Sequence, residues 1–587
     1  MRGSLYSLKK YLPIAAVSLV ALSGEAVCDL LQPSLLARMI DEGILMRAEP
    51  VVRALTLRML LTAFLGMLCA ISRAALSSHA SQRFGRDLRL RLYTKIQNLP
   101  LPEADRFDRA SLVTRVTNDA QQVQGFVNGL MRFYMRAPIL CVGGIIMAAT
   151  RSGRMALSLA VVLPIAATVV AISTKIGYPY FYRVQLALDN LNGVMREYLS
   201  GVRVVKAFNR FAMEKNRFEE SNERLTETSS SAARVLACFG PLVSLVINLG
   251  VALVIWLGGR LGEEPGKLVA FINYMNQILF SMSMFANIFN QLVRALVSAK
   301  RIDAVLDASD GEASSLAFAA YPRESPTASP RDCEHSLRFE HVTFQYPGAS
   351  EPQLADISFD AGRGETIGVI GSTGAGKSTL VNLIPRFYEI TDGRILLDGR
   401  DIRDIDPVEL RGRIALVPQT SLLFTGTIAQ NVRWGKEDAS EDEIWAALAA
   451  AQAEKFVRAM PEGLDAMIGR GGVNLSGGQK QRVTIARALV RLDGSIRDKS
   501  TALLLDDCAS ALDANTEAAL RTALRAYSPG SIVLMISQRV RSVRQCDRIL
   551  VLDDGRLAGI GTHDELIRSC DVYKDIYESQ YGRAASA

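Results

Sequence analysis

The chain divides by the rhythm of its apolar positions. Residues 11–300 hold long, nearly unbroken apolar runs, whereas 337–587 alternate short apolar strands with amphipathic stretches. Six runs, at roughly 12–40, 55–78, 126–149, 155–178, 235–260 and 268–292, come near the ~20 residues that cross a bilayer as a helix. Short links join the first to the second, the third to the fourth and the fifth to the sixth. Long polar helical stretches separate the second from the third and the fourth from the fifth. An even number of spans puts both chain ends on one side. Lys9, Lys10 and the basic segment 83–95 mark that side as cytoplasmic, although Arg47, Arg53, Arg151 and Arg154 then fall opposite. A stretch rich in Ser, Pro and Ala, 310–336, reads as a linker. The expectation is a membrane helical domain over 1–309 and an α/β domain over 337–587.

Composition narrows the class. With 587 residues the chain exceeds a single core, and 49% hydrophobic content is high for a soluble protein. The net charge of +7 is accompanied by no basic repeat or aromatic-interleaved basic stripe, so it is assigned to the flanks of the spans and no nucleic acid partner is expected. Eight scattered cysteines with no C-x-x-C pair predict neither a disulfide frame nor a zinc site. The run after Arg2, Lys9 and Lys10 continues to about Met39 without a clean cleavage site, as a first span does and a signal peptide does not.

The chemistry lies in the second half. "IGVIGSTGAGKSTLVNLI" reads as strand, glycine-rich turn and helix start, and Gly371-x4-Gly376-Lys377-Ser378 within it fits the phosphate-binding P-loop. Across Gly371, Ser372, Thr373, Gly374, Ala375 and Gly376 the backbone N–H groups can turn toward phosphate oxygens, and the helix beginning at Lys377, Ser378 and Thr379 adds its dipole. Lys377 reaches the β- and γ-phosphates, and Ser378 offers a hydroxyl to Mg²⁺. "ALLLDD" is an apolar strand ending in two carboxylates: Asp506 for Mg²⁺ and Asp507 for the attacking water.

Between them, Leu475-Ser476-Gly477-Gly478-Gln479 matches the signature of ATP-binding cassette proteins. The order of P-loop, Gln419 in "LVPQ", signature, strand with Asp506, and "SALD" at Ser510–Asp513 resembles that family throughout. The six spans resemble the type IV, exporter-type membrane domain, and 105–124 and 188–211 resemble its two intracellular segments. The resemblance implies a half-transporter that works as a dimer, ATP and Mg²⁺ as cofactors, and Gln419 as a third magnesium-side residue beside Ser378 and Asp506. It implies adenine stacked on Tyr346, and Ser476, Gly477, Gly478 and Gln479 completing a partner's ATP site in trans. Physics supports the dimer independently, since a P-loop alone leaves γ-phosphate exposed to water.

Three positions depart from the family pattern. Asp507 stands where hydrolytic sites carry Glu, about 1.5 Å shorter in reach, and misplacement of that order can cost about a hundredfold in rate. Gln538 stands where the switch His is usual and cannot become cationic. Arg470, in "IGRGGVNLSGG", stands where related exporters commonly carry Glu. Asp507 and Gln538 together resemble the degenerate half of a heterodimeric exporter, slow or inactive at its own site and completing a competent one on a partner. A homodimeric active exporter, an importer on the same fold and an ATP-gated channel are the rivals. In the membrane half, Glu25 and Asp29 share a helix face at i, i+4, and serve a cationic substrate or proton, pair with an arginine such as Arg73, or face a water-filled interior near the outer leaflet. Met275, Met282 and Met284, with Asn273, Asn276, Asn287 and Asn290, serve either a varied apolar substrate or helix packing. Pro164 and Pro241 are read as kinks. The expected setting is a bacterial plasma membrane with the nucleotide-binding domain cytoplasmic, and a small amphipathic substrate.

Overall fold

The structure is a computed structural model that describes Gly3 and residues 6–308, 336–492, 502–508, 512–527 and 529–582. The expected linker falls outside them except for Ser336, as does part of "SALD". The chain forms two compact units, one of Met1–Leu99 with Phe107–Asp310, the other of Pro100–Arg106 with Gly311–Ala587.

The described residues of the first unit form helices and their turns: α1 (Leu12–Arg38), α2 (Glu49–Gln97), then, past several shorter helices, α4 (Arg136–Arg151), α5 (Gly153–Ala207), α6 (Phe211–Ala237), α7 (Phe239–Leu261) and α8 (Pro265–Leu306). The intervening α3 (Leu101–Asp105) belongs to the second unit. Local chemistry sets the ends. Pro50 and Pro265 occupy first-turn positions, where a missing N–H costs nothing. Ser152 caps α5 by accepting from Met155 N, and Gly262 ends α7 at φ 64°. Pro241, in the first turn of α7, lacks the N–H that would bond back to α6, and the two helices part at Cys238.

Five helical stretches among the described residues are long and apolar enough to span a bilayer: Ser7–Ile44, Glu49–Gln97, Arg109–Arg151, Gly153–Ala207 and Phe211–Leu261. The sixth expected span falls within α8, a helix of 42 residues. Local partners accommodate several arginines at the turns opposite the basic segment: Arg53 pairs with Glu49 at 2.6 Å, Arg38 with Glu42, and Arg151 donates to the Ser34 hydroxyl.

The membrane-helix acids have their answer in an ionic cluster. Arg73 of α2 donates to both carboxylate oxygens of Glu25 (2.6 and 3.3 Å) and to Arg132 O at 2.7 Å. Arg136 bridges Glu25 at 3.3 Å and Asp29 at 2.7 Å. Two acids meet two guanidinium groups, so the pairing alternative holds for both. Met275 is fully buried in the helix core, while Asn276 is exposed and Asn273 bonds back to Val269 O at 2.8 Å. The side chains of Asn287 and Asn290 lie outside the described residues.

Among its described residues the second unit carries a small sheet, a large one and a two-stranded pair of Gly426–Thr427 with Met467–Ile468. β1 (Ser336–Phe344), β2 (Leu354–Gly362) and β4 (Asp392–Leu397) are antiparallel in the order β2-β1-β4. The larger sheet holds β3 (Thr366–Gly371), β5 (Ile414–Val417), β6 (Ala502–Asp506), β7 (Ile532–Ile536), β8 (Arg548–Asp553) and β9 (Arg556–Gly561), in the order β9-β8-β3-β7-β6-β5. Only β9 runs antiparallel. The central strands β3, β6 and β7 are buried along their whole length, as a parallel sheet covered on both faces requires. Around it pack α9 (Lys377–Leu383), α10 (Gly477–Leu489) and α11 (Ala514–Tyr527).

Candidate active site

Parallel strands deliver their carboxyl ends to one edge, and ligands of such sheets bind there. In register, Ile536 of β7 faces Val369 of β3 on one side and Asp506 of β6 on the other. The P-loop after β3, the acids at the end of β6, Gln538 after β7 and Gln419 after β5 therefore converge. They line a cavity of about 260 Å³ with Thr373, Gly374, Gly376, Lys377, Ser378, Asp506, Asp507, Gln419 and Gln538 on its wall.

Two glycines are required by position. A Cβ on Gly371 would lie 2.1 Å from Leu552 O, and Gly376 holds φ 91° with Gln353 O 2.9 Å from where its Cβ would be. Ala375 is buried under the loop. The Lys377 ammonium donates to Gly371 O at 3.0 Å and Ser372 O at 2.6 Å. Burial lowers its pKa, opposed by the charges of Asp507 and Asp506. Ser378 Oγ donates to Asp506 Oδ1 at 3.0 Å, so the two expected magnesium-side groups are in contact, with the Gln419 amide on the same wall. A hydroxyl, a carboxylate and an amide carbonyl are all hard oxygen donors, the set that Mg²⁺ takes, and the residues fit that ion.

Burial raises the pKa of both Asp506 and Asp507. For Asp507 the Arg539 guanidinium, the Lys377 ammonium and the Gln538 backbone amide oppose the rise. Asp507 sits at φ 44°, in the left-handed region, directly after the strand. Tyr346 lies against the P-loop helix, its hydroxyl 3.1 Å from Thr379 Oγ1.

Ser476, Gly477, Gly478 and Gln479 stand apart: none lines the cavity of their own chain. Ser476 caps α10 in a reciprocal box, its Oγ accepting from Gln479 N at 3.3 Å while Gln479 Oε1 accepts from Ser476 N at 2.9 Å. Space beside Gly477 is open. Arg470 is exposed in a turn just ahead of this helix.

Three residues escaped sequence reasoning. Gln353, which lines the cavity and donates to Gly374 O at 2.8 Å, precedes β2 and belongs to no motif. Arg539 adjoins Gln538, and its charge beside an acid-rich strand end was the available signal. Tyr388 touches Tyr346 edge-on, with centroids 5.3 Å apart; aromatic proximity across 42 positions leaves no trace in sequence.

Comparison with known proteins agrees with this geometry. Residues 15–282 match the ABC transporter transmembrane region and 354–510 the ABC transporter domain. An uncharacterized ABC transporter ATP-binding protein of Bacillus subtilis, YfiB, is 38% identical with 100% of both chains covered. An ATP-dependent lipid A-core flippase of Thiobacillus denitrificans is 31% identical, covering 97% of this chain and 96% of its own. A solved structure of a bacterial Atm1-family ABC exporter with ATP bound superimposes with a TM-score of 0.74 over 98% of each chain at 23% identity, and so shares the fold. With a membrane-spanning helical region, a P-loop cavity at a parallel sheet edge and full-length relatives, the chain belongs to the ABC transporters, as an exporter-type membrane region and an ATPase domain in one polypeptide.

Proposed function

We propose that the chain is the degenerate-site subunit of a heterodimeric exporter in a bacterial plasma membrane. In this reading 1–309 is the membrane domain, 310–336 the linker and 337–587 the nucleotide-binding domain, and the substrate is amphipathic, lipid-like or drug-like. The flippase name of full-length relatives at 31% identity supports the substrate class. One observation carries the assignment of the site: Asp507 and Gln538 stand together on the wall of a cavity whose phosphate-binding parts are otherwise complete.

The residues divide the work as follows. Adenine stacks on Tyr346. The P-loop amides and Lys377 hold the β- and γ-phosphates, the lysine exchanging its bonds to Gly371 O and Ser372 O for phosphate oxygens. Ser378, Asp506 and Gln419 would hold a magnesium ion, which neutralises charge between the β- and γ-phosphates. Asp507 is placed to accept a proton from the attacking water, yet it is one methylene short, and Gln538 brings no positive charge to the γ-phosphate. Hydrolysis here is therefore slow. The Ser476 hydroxyl accepts one bond from Gln479 N and keeps its own O–H free to donate, so with the Gly477 and Gly478 amides it serves a partner's γ-phosphate across the dimer.

A homodimeric active exporter is the second reading, and Arg539 favours it, because its charge beside Asp507 supplies a cation that Gln538 lacks. ATPase measurement on the purified chain in lipid nanodiscs separates the two. The degenerate reading expects near-zero turnover alone, and turnover on mixing with a half-transporter bearing Glu and His at the equivalent positions. That activity is lost with Ser476→Ala in this chain. Brisk hydrolysis by the chain alone, abolished by Asp507→Asn, overturns it in favour of the homodimer.

A further inference from the structure

The segment that follows β7 carries two residues of the site, Gln538 on the cavity wall and Arg539 with its charge beside Asp507. Its ends are fixed by the sheet and by buried charge. Ser537 N donates to Val369 O at 3.1 Å, in the strand that leads into the P-loop. Arg541 donates to Glu517 Oε2 at 3.1 Å, and Glu517, buried in the first turn of α11, is also held by Arg521 at 3.2 Å.

Between these anchors the backbone is gripped by the last turn of the helix α12 (Asp571–Tyr581). The Gln580 Nε2 donates to Gln538 O at 2.7 Å, and its Oε1 accepts from Val540 N at 2.9 Å. One planar amide thus spends both a donor and an acceptor on the same short segment. Gln538 is engaged on its other side too, because its own N–H donates to the Asp507 carboxylate. The same residue therefore links α12 to the acid at the strand end. The helix is seated for this task. Tyr573, Tyr577 and Gln580 fall at i, i+4 and i+7, on one face. Both tyrosines are buried in an apolar cluster with Val540, Val543 and Ile370, the residue before Gly371. The Tyr573 hydroxyl lies 2.7 Å from His563 Nδ1, in the first turn of the preceding helix His563–Ser569. A helix anchored by a buried ring at one end and hydrogen-bonded at the other keeps its last turn in place instead of fraying.

We propose that Gln580 is a positioning residue: it seats Gln538 so that the Gln538 side-chain amide meets the γ-phosphate, and it makes the C-terminal helix part of the ATP site. The inference rests on the reading of Gln538 as a γ-phosphate residue given above. A neutral amide depends on such a brace more than a cation would. Its hydrogen bond weakens steeply as it leaves the donor axis, whereas a charge attracts over a wide arc. Gln538 has no charge to fall back on, so its orientation must come from the backbone that Gln580 holds.

Nucleotide affinities of the purified chain in lipid nanodiscs test it. Mg·ADP is compared with the magnesium complex of β,γ-imido-ATP, which keeps the γ-phosphate and resists hydrolysis, so that the ratio of the two reports the γ-phosphate. Gln580→Ala is expected to weaken the imido analogue about fivefold, the factor one ordinary hydrogen bond contributes, and to leave ADP within about twofold. Alanine is the best helix former and the position is exposed, so the helix itself survives the change. Gln580→Glu keeps the acceptor for Val540 N and loses the donor to Gln538 O, and is expected to match the alanine variant. In a Gln538→Ala background, Gln580→Ala is expected to leave the ratio where it is. Equal weakening of both nucleotides, an unchanged ratio, wild-type behaviour in Gln580→Glu, or a further loss in the Gln538→Ala background overturns the proposal. Gln538→Ala alone separates the premises. An unchanged ratio in that variant removes the γ-phosphate reading and the brace with it. A lowered ratio there, with none in Gln580→Ala, removes the brace alone.

Discussion

Asp507 owes its character to backbone as much as to side-chain length. At φ 44° it occupies a region that disfavours most L-residues, and Asp with Asn is among those that enter it most readily. Glu, longer and without the local hydrogen bonds of Asp, fits the reach better and the backbone less well. Asp507→Glu is accordingly expected to raise ATP turnover by the chain alone about tenfold or more, at a stability cost below about 1 kcal/mol. Steady-state phosphate release and thermal unfolding of the same preparation check both halves. Unchanged turnover would show that reach is not what limits this site. Most of the site was legible at this scale, because P-loop, signature and acid-tipped strand are local strings whose spacing fixes their geometry. The Arg539 charge and the Gln353 contact were not, since each depends on which loops the fold sets side by side.

Among the elements, α1, α2 and α4 are joined by charge where lipid-facing helices would be joined by packing. Glu25 and Arg73 are almost fully buried and bonded at two points. Such a pair is costly to break one partner at a time, because the survivor stays buried and uncompensated. Arg73→Met is expected to destabilise the helical unit by about 3 kcal/mol, the low end of the usual range, since Arg136 still faces Glu25 at 3.3 Å. Combining it with Glu25→Gln is expected to recover at least half of that loss, read as thermal unfolding in nanodiscs. A double variant as unstable as the single one would mean that the bond from Arg73 to Arg132 O, and not the ion pair, holds the helices. Sequence placed Glu25 and Asp29 on one face and offered Arg73 as a partner. Arg136, more than a hundred positions away, became visible only in three dimensions.

At the scale of the molecule the longest helix exposes apolar side chains beyond the length expected to lie in lipid. Helix α5 has 55 residues, about 80 Å of helix against about 30 Å of hydrocarbon. Beyond the span expected to end near 178, Phe181, Leu186, Leu199 and Val204 remain exposed on it, as does Phe208 at its C-cap. In the dimer proposed above, such exposed apolar positions are expected to be covered by the second chain. The double variant Leu199→Asp, Val204→Asp is expected to lower the dimer fraction in detergent about tenfold or more, measured by light scattering, while nucleotide binding persists. A wild-type chain that remains monomeric at high concentration in nanodiscs, both alone and with a half-transporter bearing Glu and His at the equivalent positions, would argue against the dimer altogether.

Sequence by itself determined the class of this protein. Span-length apolar runs and short apolar strands are dictated by solvent and by helix and strand geometry, and the phosphate-binding strings carry their chemistry within a few residues. Tertiary structure decided what depends on partners far apart in the chain. Arg136 closes the ionic cluster around Glu25 and Asp29, Arg539 charges the surroundings of Asp507, and Tyr388 meets the Tyr346 ring edge-on. Charges and rings act through space over a few ångströms, and only folding sets which residues come that close.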